Sequence, residues 1–392
     1  MSFKEWKKCK VSDILNFRRG HDLPKKKVIE GEYPVVGSNG VIAYHNEYTT
    51  KAPCLTIGRS GNVGNPHFLN EDCWAHNTTL YVDDFKGNHP EFIYYFLKTL
   101  NLGHYAGGSA VPTLNRNHIH PIEIMFPGNI EEQKAITNIL SSLDGKIETN
   151  NTINQKLEEI AQTIFKQWFV DFEFPNEEGK AYKANGGEMV ESELGMIPEG
   201  WEIKILDDLS KDDIICGKTP STKKKENYGD FMPFVTIPDM HNNTFIINTS
   251  RSLSREGVAN QVKKTVPKYS VMVSCIATPG LVSIASRDCQ TNQQINTIIC
   301  PEFSSYFIYF SLKNLSEHIK ILGSSGSTTL NLNKREFGKI KVVYPNQSYL
   351  EVFYETVKAM FEQILNNQLQ NKELTILRNA LLPKLMSGEI RV

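Results

Sequence analysis

The sequence predicts an α+β fold with two tandem mixed α/β domains, each followed by a long helix. The two helices are predicted to pair as an antiparallel coiled coil within the chain. Three observations lead to this prediction. Two long stretches carry apolar residues at helical spacing, both stretches hold a pair of asparagines at the matching place, and the two halves of the chain repeat one another.

The two helical stretches run roughly over residues 130–172 and 347–385. Their apolar residues step by alternating fours and threes, which keeps one seam facing a partner helix. At 1.5 Å per residue the pair would be about 50–60 Å long. The apolar seam residues are Ile136, Leu140, Leu143, Ile147, Leu157, Ala161, Ile164 and Trp168 on the first helix and Phe353, Val357, Met360, Ile364, Leu374 and Leu381 on the second.

Asparagines interrupt both seams. They are Asn150 and Asn154 on the first helix, and Asn367 and Asn371 on the second. A polar residue in an apolar seam costs stability but fixes register and pairing. We therefore predict that these four residues set the register of the helix pair. The alternative is that each helix packs only on its own domain.

The repeat also covers the part of each half that precedes the helix. Trp6 matches Trp201, FIYYFLKTL matches FIYFSLKNL, and the TLN that ends at Asn115 matches the TLN that ends at Asn331. Matching residues are 195 positions apart at the tryptophans and 216 apart at the asparagines, so the second copy contains an insertion of about twenty residues in its first half. The predicted boundaries are 1–129 and 197–346 for the domains, 130–172 and 347–385 for the helices, 173–196 for an acidic, Gly-rich linker and 386–392 for the C-terminal tail.

Within the domains, short strands and turns predominate. CLTIGRSGNVGNPHFL and VMVSCIATPGLVSIAS alternate β-branched residues with Gly and Pro, and TTLYV and INTIIC are typical of buried strands. FIYYFL and FIYFSL are predicted to be helical because Pro-Glu precedes each of them.

Composition places the chain among ordinary globular proteins. The net charge is −1, no apolar run approaches a membrane span, and the N-terminus lacks the apolar segment of a secretory signal. The 7 cysteines are scattered without a CxxC. This pattern argues for a reducing cytoplasm and against a disulfide framework or a zinc site.

No catalytic constellation is found in the sequence. Gly217-Lys218-Thr219 resembles the end of a phosphate-binding loop, but Asp212 stands where its first glycine belongs. The chain has no Pro-Pro dipeptide, no HExxH and no GxSxG. His118 and His120 alternate on a predicted strand, but two histidines make a weak case for a metal, and scattered surface histidines are the better interpretation.

Three groups of loops repeat in position while changing in sequence, which is what two readers of different DNA half-sites require. The first group is FRRGHDLPKKK opposite CGKTPSTKKK, where basic side chains can neutralise phosphates. The alternative is a solvated turn. The candidates are Arg18, Arg19, Lys25 and Lys26 in the first copy and Lys218, Thr219, Ser221, Lys223 and Lys224 in the second.

The second group is GRSGNVG opposite ATPGLVS. Aligning Gly61 with Gly280 places Arg59 opposite Thr278. Arginine reads guanine bidentately in a major groove, whereas threonine contacts a thymine methyl group or another base edge. The alternative is a hairpin turn with a surface arginine. Ser60 and Asn62 are further candidates in the first copy of this loop.

The third group is GGSAVPTLN opposite GSSGSTTLN, where backbone N–H and hydroxyl groups can approach DNA, although turn formation and helix capping are the commoner uses. Beside a strand in each copy lies a further polar pair. Its Asn or Gln amides suit adenine, and the alternative is that they simply satisfy backbone groups. The candidates are Ser109, Thr113, Ser325, Ser327 and Thr328 in the third group, and His76, Asn77, Gln293 and Gln294 in the polar pairs.

The first helix carries more apolar residues than one seam needs. A second apolar face predicts another protein docked on the helix pair. The residues that widen the stripe are Ile139, Ile153, Ile160, Phe165, Phe169 and Phe172.

The chain closely resembles the specificity (S) subunit family of Type I restriction–modification systems. The resemblance is carried by IPEGW ending at Trp201, GKTPSTKKKENYGDFMPFVTIPDM from Gly217, the TLN before each helix, LEEIAQTIFKQWFVDFEFP, and the ending LTILRNALLPKLMSGEIRV, and it covers essentially the whole chain. It implies two target-recognition domains that each read one half of an asymmetric bipartite DNA sequence, with the coiled coil setting the gap.

The resemblance also implies the partners: double-stranded DNA, two methyltransferase (M) subunits and restriction (R) subunits, with no membrane. The chain itself would be non-catalytic and hold no cofactor. The M subunits would bind S-adenosylmethionine and methylate adenine, and the R subunits would use ATP and Mg²⁺. The alternatives are an enzyme with an unrecognised motif, a coiled-coil scaffold that does not bind DNA, and the recognition subunit of a related Type II system.

Overall fold

A computed structural model describes residues 6–107, 112–324 and 330–392. The chain forms two compact units. Unit 1 comprises Met1–Lys146 and Leu374–Val392, and unit 2 comprises Ile147–Glu373. The division therefore falls inside both long helices, and each unit contains part of each helix.

Unit 1 is built from short strands and few helices. Its four-stranded sheet has the order β2-β8-β5-β6, its three-stranded sheet the order β4-β3-β7, and β1 pairs with β9. The helices are α1 (Val11–Ile14), α2 (Pro90–Thr99), α3 (Arg116–Ile119) and the first part of α4 (Ile130–Phe165). The strands are β1 (Lys7–Lys10), β2 (Asn16–Arg19), β3 (Tyr33–Gly37), β4 (Gly40–His45), β5 (Cys54–Gly58), β6 (Pro66–Leu69), β7 (Trp74–Ala75), β8 (Thr79–Asp84) and β9 (Glu123–Phe126).

Unit 2 repeats this plan and adds to it. The sheets have the orders β13-β21-β18-β19-β15 and β16-β14-β20-β17, with two further pairs, β12-β22 and β10-β11. The helices are α5 (Leu206–Leu209), α6 (Ile237–Met240), α7 (Arg255–Ala259), α8 (Glu302–Asn314), α9 (Ser316–Ser324), α10 (Lys334–Gly338) and part of α11 (Gln347–Ser387). The strands are β10 (Met189–Ser192), β11 (Gly195–Pro198), β12 (Glu202–Ile205), β13 (Ile215–Cys216), β14 (Tyr228–Val235), β15 (Phe245–Ile246), β16 (Arg251–Leu253), β17 (Thr265–Val266), β18 (Val271–Ser274), β19 (Val282–Ala285), β20 (Cys289–Thr291), β21 (Ile295–Ile298) and β22 (Lys341–Tyr344).

Equivalent backbone bonds confirm the repeat and locate its insertion. His76 N donates to Val36 O in unit 1, and Asn292 N donates to Val235 O in unit 2. The two partners are 40 residues apart in unit 1 and 57 apart in unit 2. The extra chain lies between β14 and β20. The strands predicted in CLTIGRSGNVGNPHFL, VMVSCIATPGLVSIAS, TTLYV and INTIIC are also confirmed, and so are the two predicted helices, now α2 and α8.

The long helices contribute to the core of each unit. In unit 1, Ile136 and Leu140 of α4 and Leu385 of α11 are buried with Phe92 and Phe96. In unit 2, the long helices and α8 share an aromatic core; its side chains include Phe165, Trp168, Phe169, Phe307, Phe310, Phe353 and Phe361. A π-helical turn (Lys166–Val170) follows α4, and Pro383 lies inside α11.

The predicted asparagines of unit 2 bond to one another across the two helices. Asn150 Nδ2 donates to Asn371 Oδ1, and Asn367 Nδ2 donates to Asn154 Oδ1, each over 2.8 Å. Residue numbers rise along α4 as they fall along α11, which is antiparallel order. The coiled-coil form of this pairing stays a prediction.

In the range predicted to be the linker, β10 and β11 form a hairpin, and Phe174 is buried against Trp201. Two expectations about local structure need correction. Cys54 and Cys73 form a disulfide, since β5 and the residue before β7 bring them together across 19 positions. His118 lies in α3 and not on a strand, because the Asn115 side chain caps that helix.

Within the described ranges, no helix is both long and apolar enough to cross a membrane. In the same ranges, no group of three or more His, Cys, Asp or Glu side chains is arranged to hold a metal ion.

Candidate nucleic-acid interface

A glycine anchors the first loop of each unit to a neighbouring turn, which precedes β8 in unit 1 and β21 in unit 2. A Cβ atom on Gly20 would clash with the carbonyl oxygen of His76, and one on Gly217 would clash with that of Asn292. Gly20 N donates to Thr79 O over 3.0 Å, so the loop is bonded to β8. Only glycine permits so close an approach between backbones. The two loops are therefore held in equivalent places.

A side-chain contact repeats at this anchor with different chemistry. In unit 1, Asn77 Nδ2 donates to Asp22 Oδ1. In unit 2, Thr219 Oγ1 donates to Gln293 Oε1 over 2.6 Å. An acid–amide pair in one copy thus corresponds to a hydroxyl–amide pair in the other, on the same backbone frame.

Hydrogen bonds in the hairpin loops show that the predicted alignment of Gly61 with Gly280 needs correction. Gly64 N donates to Gly58 O over 2.8 Å, and Gly280 N donates to Ser274 O over 2.9 Å. Both bonds span six residues and close the loop at the end of equivalent strands, β5 and β18. Gly280 therefore corresponds to Gly64 and not to Gly61.

This correction changes which residue of unit 2 is equivalent to Arg59. Arg59 corresponds in position to Cys275, and Thr278 corresponds to Asn62, so the predicted pairing of Arg59 with Thr278 is wrong. Cys275 is buried, and burial raises the pKa of its thiol to about 12. Thr278 is exposed in the loop of unit 2.

The predicted alignment of the third loop also needs correction, in this case by two residues. Leu114 N donates to Arg59 O over 2.8 Å, and Leu332 N donates to Cys275 O over 2.8 Å. Asn115 caps α3, and Asn333 caps α10. The sequence TLN at Asn115 thus corresponds to NLN at Asn333, because capping requires the asparagine directly before the helix.

Arg59 is held by its backbone while its side chain has no partner among the described residues. Its N–H donates to Thr78 O over 2.8 Å, and its carbonyl accepts from Leu114 N. The side chain is half-buried. Neither a hydrogen bond nor an ion pair to the described residues engages its guanidinium, so the group is available for a ligand.

The arginines of the first loop differ from Arg59. Arg18 pairs with Asp83 over 3.0 Å, and Arg19 pairs with Asp22 over 3.5 Å. Both side chains are exposed, so each pair is weak and each arginine can exchange its partner.

Most other predicted residues lie on accessible parts of these loops. Ser109, Ser325, Ser327 and Thr328 lie outside the described residues. His76 Nδ1 lies 2.9 Å from Thr78 Oγ1, and Gln294 Oε1 accepts from Asn292 Nδ2 over 2.8 Å. The exposed residues are Lys25, Lys26, Asn62, Lys218, Ser221, Lys223, Lys224, Thr278 and Gln293, and the half-buried ones are Ser60, His76, Asn77, Thr113, Thr219 and Gln294.

The turn between β3 and β4 belongs to the same surface and was missed in the sequence. A Cβ atom on Gly61 would lie 3.1 Å from Ser38 Oγ, and His67 Nε2 lies 3.1 Å from Ser38 O. The tripeptide Ser38-Asn39-Gly40, with Gly40 at φ +96°, is the turn signal that marks this loop.

Two copies of one α/β domain, each presenting the same loop framework with different side chains, define a tandem-repeat recognition protein. The family described as "Type I restriction modification DNA specificity domain" matches residues 3–159 and 198–375, and the chain belongs to this family. The expected resemblance is therefore confirmed.

Individual relatives agree with this assignment. The chain is 38% identical over 358 residues to the Type I restriction enzyme HindI specificity subunit of Haemophilus influenzae, which covers 77% of each protein. It is 31% identical over 314 residues to the MjaIX specificity subunit of Methanocaldococcus jannaschii, covering 77% of this chain and 69% of that one. The crystal structure of the Type I S subunit from M. genitalium has a TM-score of 0.61 at 17% identity, covers 97% of this chain and 96% of that chain, and shares the fold.

Proposed function

We propose that this chain reads DNA as the specificity subunit of a Type I restriction–modification enzyme, with each recognition domain reading one half of an asymmetric bipartite target. Family membership supports the general role. The observation that carries the finer proposal is the repeated anchor, where Asp22–Asn77 corresponds to Thr219–Gln293. One backbone frame with two sets of side chains suits the reading of two different half-sites.

The recognition domains are proposed to be residues 1–129 and 197–346, and their loops would carry the base and phosphate contacts. Arg59 is the proposed guanine reader of the first domain, because its guanidinium has no partner among the described residues and its backbone is fixed on both sides. Exposed lysines of the first loops would contact phosphates.

The two long helices are proposed to set the unspecified gap and to dock the methyltransferase subunits. Each helix contributes residues to both units, so the length of the helix would determine the gap. Apolar side chains remain exposed along both helices, which suits a protein partner. They are Ile153, Ile160, Val352, Leu369, Ile376 and Leu377.

In the proposed assembly the chain is non-catalytic and acts in the cytoplasm. Two M subunits would supply S-adenosylmethionine-dependent adenine methylation, and R subunits would supply ATP- and Mg²⁺-dependent cleavage. The chain's own contribution would be to place the target adenines before the M subunits.

Sequencing for methylated adenines tests the proposal in a host that carries this chain with its M subunit. We expect one asymmetric motif with two specified parts and a gap of fixed length, absent from a host that carries the M subunit alone. A single uninterrupted motif would refute the two-reader arrangement. Stable complexes that methylate no DNA would indicate a scaffold.

A further inference from the structure

The inserted segment of unit 2 places additional lysines beside the first recognition loop. A 3-10 turn, Val262–Lys264, follows α7 within the insertion. Gln261, directly before this turn, donates from Nε2 to Lys218 O over 2.9 Å. Lys263 and Lys264 are not among the DNA-contact candidates predicted from the sequence, and they therefore add to the loop that begins at Gly217, next to which they lie.

Buried amides lock the two segments together. Gln261 Nε2 also donates to Gln290 Oε1 over 2.8 Å, and both side chains are buried. Asn260 Nδ2 donates to Asn227 Oδ1 over 3.2 Å, and Asn227 Nδ2 donates to Ser221 O over 3.0 Å. A satisfied polar network of this kind rigidifies the surface above it.

The lysines of the first loop and of the Val262–Lys264 turn have no acidic partners among the described residues. None of them forms an ion pair within the described parts of the chain, whereas lysines elsewhere in unit 2, such as Lys339 and Lys341, are paired with Glu336 and Glu193. We define the lysine patch as Lys218, Lys223, Lys224, Lys225, Lys263 and Lys264. Its uncompensated positive charge favours a polyanion.

Acidic side chains limit the patch on one side. Glu226, Asp230 and Glu256 line an adjacent groove with Arg255. A phosphate backbone would be repelled from that groove, so its favoured path crosses the lysines. The lysines supply positive charge but no arrangement that distinguishes bases. They therefore suit the sequence-independent part of DNA binding, which is contact with phosphates.

We infer that Lys263 and Lys264 bind the phosphate backbone of duplex DNA beside the half-site that the second domain reads. The inference rests on the proposed function and extends it to a site that belongs to unit 2 only. Gln261 and Gln290 are positioning residues, which hold the turn against the first loop. The expected consequence is greater salt sensitivity, with no change in the bases recognised.

The test compares full-length chains in complex with their M subunits, and the probe is a mixed-sequence DNA duplex. The binding constant is measured against salt concentration for the wild type and for Lys263→Ala/Lys264→Ala. Each lost phosphate contact reduces the slope of log K against log salt by about 0.9, so the double variant should lose about 1.8. Its methylated sequence should stay that of the wild type.

Two variants serve as controls. Lys263→Arg/Lys264→Arg keeps the charge and should keep the slope. Lys339→Ala/Lys341→Ala removes the same charge from ion-paired positions of unit 2 and should also keep it. A wild-type slope for the alanine variant at residues 263 and 264, or an equal change in the ion-paired control, would overturn the inference alone. A wild-type complex that neither binds the duplex nor methylates DNA would overturn the proposed function, and the inference with it.

Discussion

Asn367 donates its side-chain N–H to Asn154 Oδ1 over 2.8 Å, and this bond joins the two long helices within unit 2. Asn367 is buried, and its Oδ1 accepts from Gln363 Nε2 over 2.7 Å. The side chain is therefore satisfied on both sides only while Asn154 is present.

Asn154→Ala should destabilise the protein because it leaves a buried donor of Asn367 without an acceptor. The expected loss in the free energy of unfolding is about 1–3 kcal/mol. Denaturant titration of the full chain measures it. Asn151→Ala is the matched control, since Asn151 is exposed and accepts from the exposed side of Asn371. Equal losses for the two variants would refute the register role of the Asn154–Asn367 pair.

Glu158 should make the stability of unit 2 depend on pH. Its carboxylate accepts from Thr244 Oγ1 over 2.8 Å and from Tyr309 OH, and it pairs with Lys313. Burial works to raise the pKa of Glu158, but Lys313 and the hydrogen bonds outweigh it, so the pKa lies below the ordinary value of 4.5. A depressed folded-state pKa stabilises the protein above the unfolded-state value, and this contribution is lost as the pH falls below 4.5 toward the folded-state pKa.

Glu158→Gln should remove that part of the pH dependence and lower the free energy of unfolding at neutral pH by about 2–3 kcal/mol, below the usual loss for a fully buried pair because Lys313 is partly exposed. Unfolding measured across the acidic range tests both effects. Glu159→Gln, on the exposed side of α4, should leave the stability near that of the wild type. Parallel pH curves for the wild type and Glu158→Gln would contradict the assignment.

Substitution of the anchor glycines should affect one half-site each. An alanine at position 20 or 217 would clash with the carbonyl oxygen of His76 or Asn292 and displace the first loop of that domain only. Sequencing for methylated adenines should show relaxed bases in one half of the target for Gly20→Ala and in the other half for Gly217→Ala. Gly128→Ala, which meets no atom within 4 Å, should keep the full motif. Relaxation of the same half by both variants would be incompatible with two independent readers.

Removing one turn from the first helix should change the gap and not the bases. A deletion of about four residues shortens the helix by about 6 Å. The methylated motif should keep both specified parts with a shorter gap, and an insertion of one turn should lengthen it. Unchanged gaps in both variants would show that the helix does not set the spacing.

The long helices were predictable because their signal is local. The four-three spacing and the paired asparagines can be read directly along the sequence, and α4 covers Ile130–Phe165. The loops were harder to align from the sequence. The second copy has two extra residues before Asn333, so the TLN that ends at Asn331 matches the first copy in sequence but not in position. Only the capping bond and the bond from Leu332 N to Cys275 O identify the true counterpart of Asn115.

Contacts between distant residues could not be read from the sequence. Asn260 reaches Asn227, and Gln261 reaches Gln290, only because the insertion folds back on the first loop. The disulfide of Cys54 and Cys73 likewise depends on the position of two strands. Neither leaves a pattern of spacing in the chain.

The most direct test of the account is the methylated sequence produced by Arg59→Ala together with the M subunit. We expect one half of the target to lose specificity, or methylation to be lost through that half alone, while the other half and the binding of the M subunits stay unchanged. A typical bidentate contact contributes about 1–3 kcal/mol to discrimination between bases, so the relaxation should be readily detected. Equal loss at both halves, or an unchanged motif, would contradict the account.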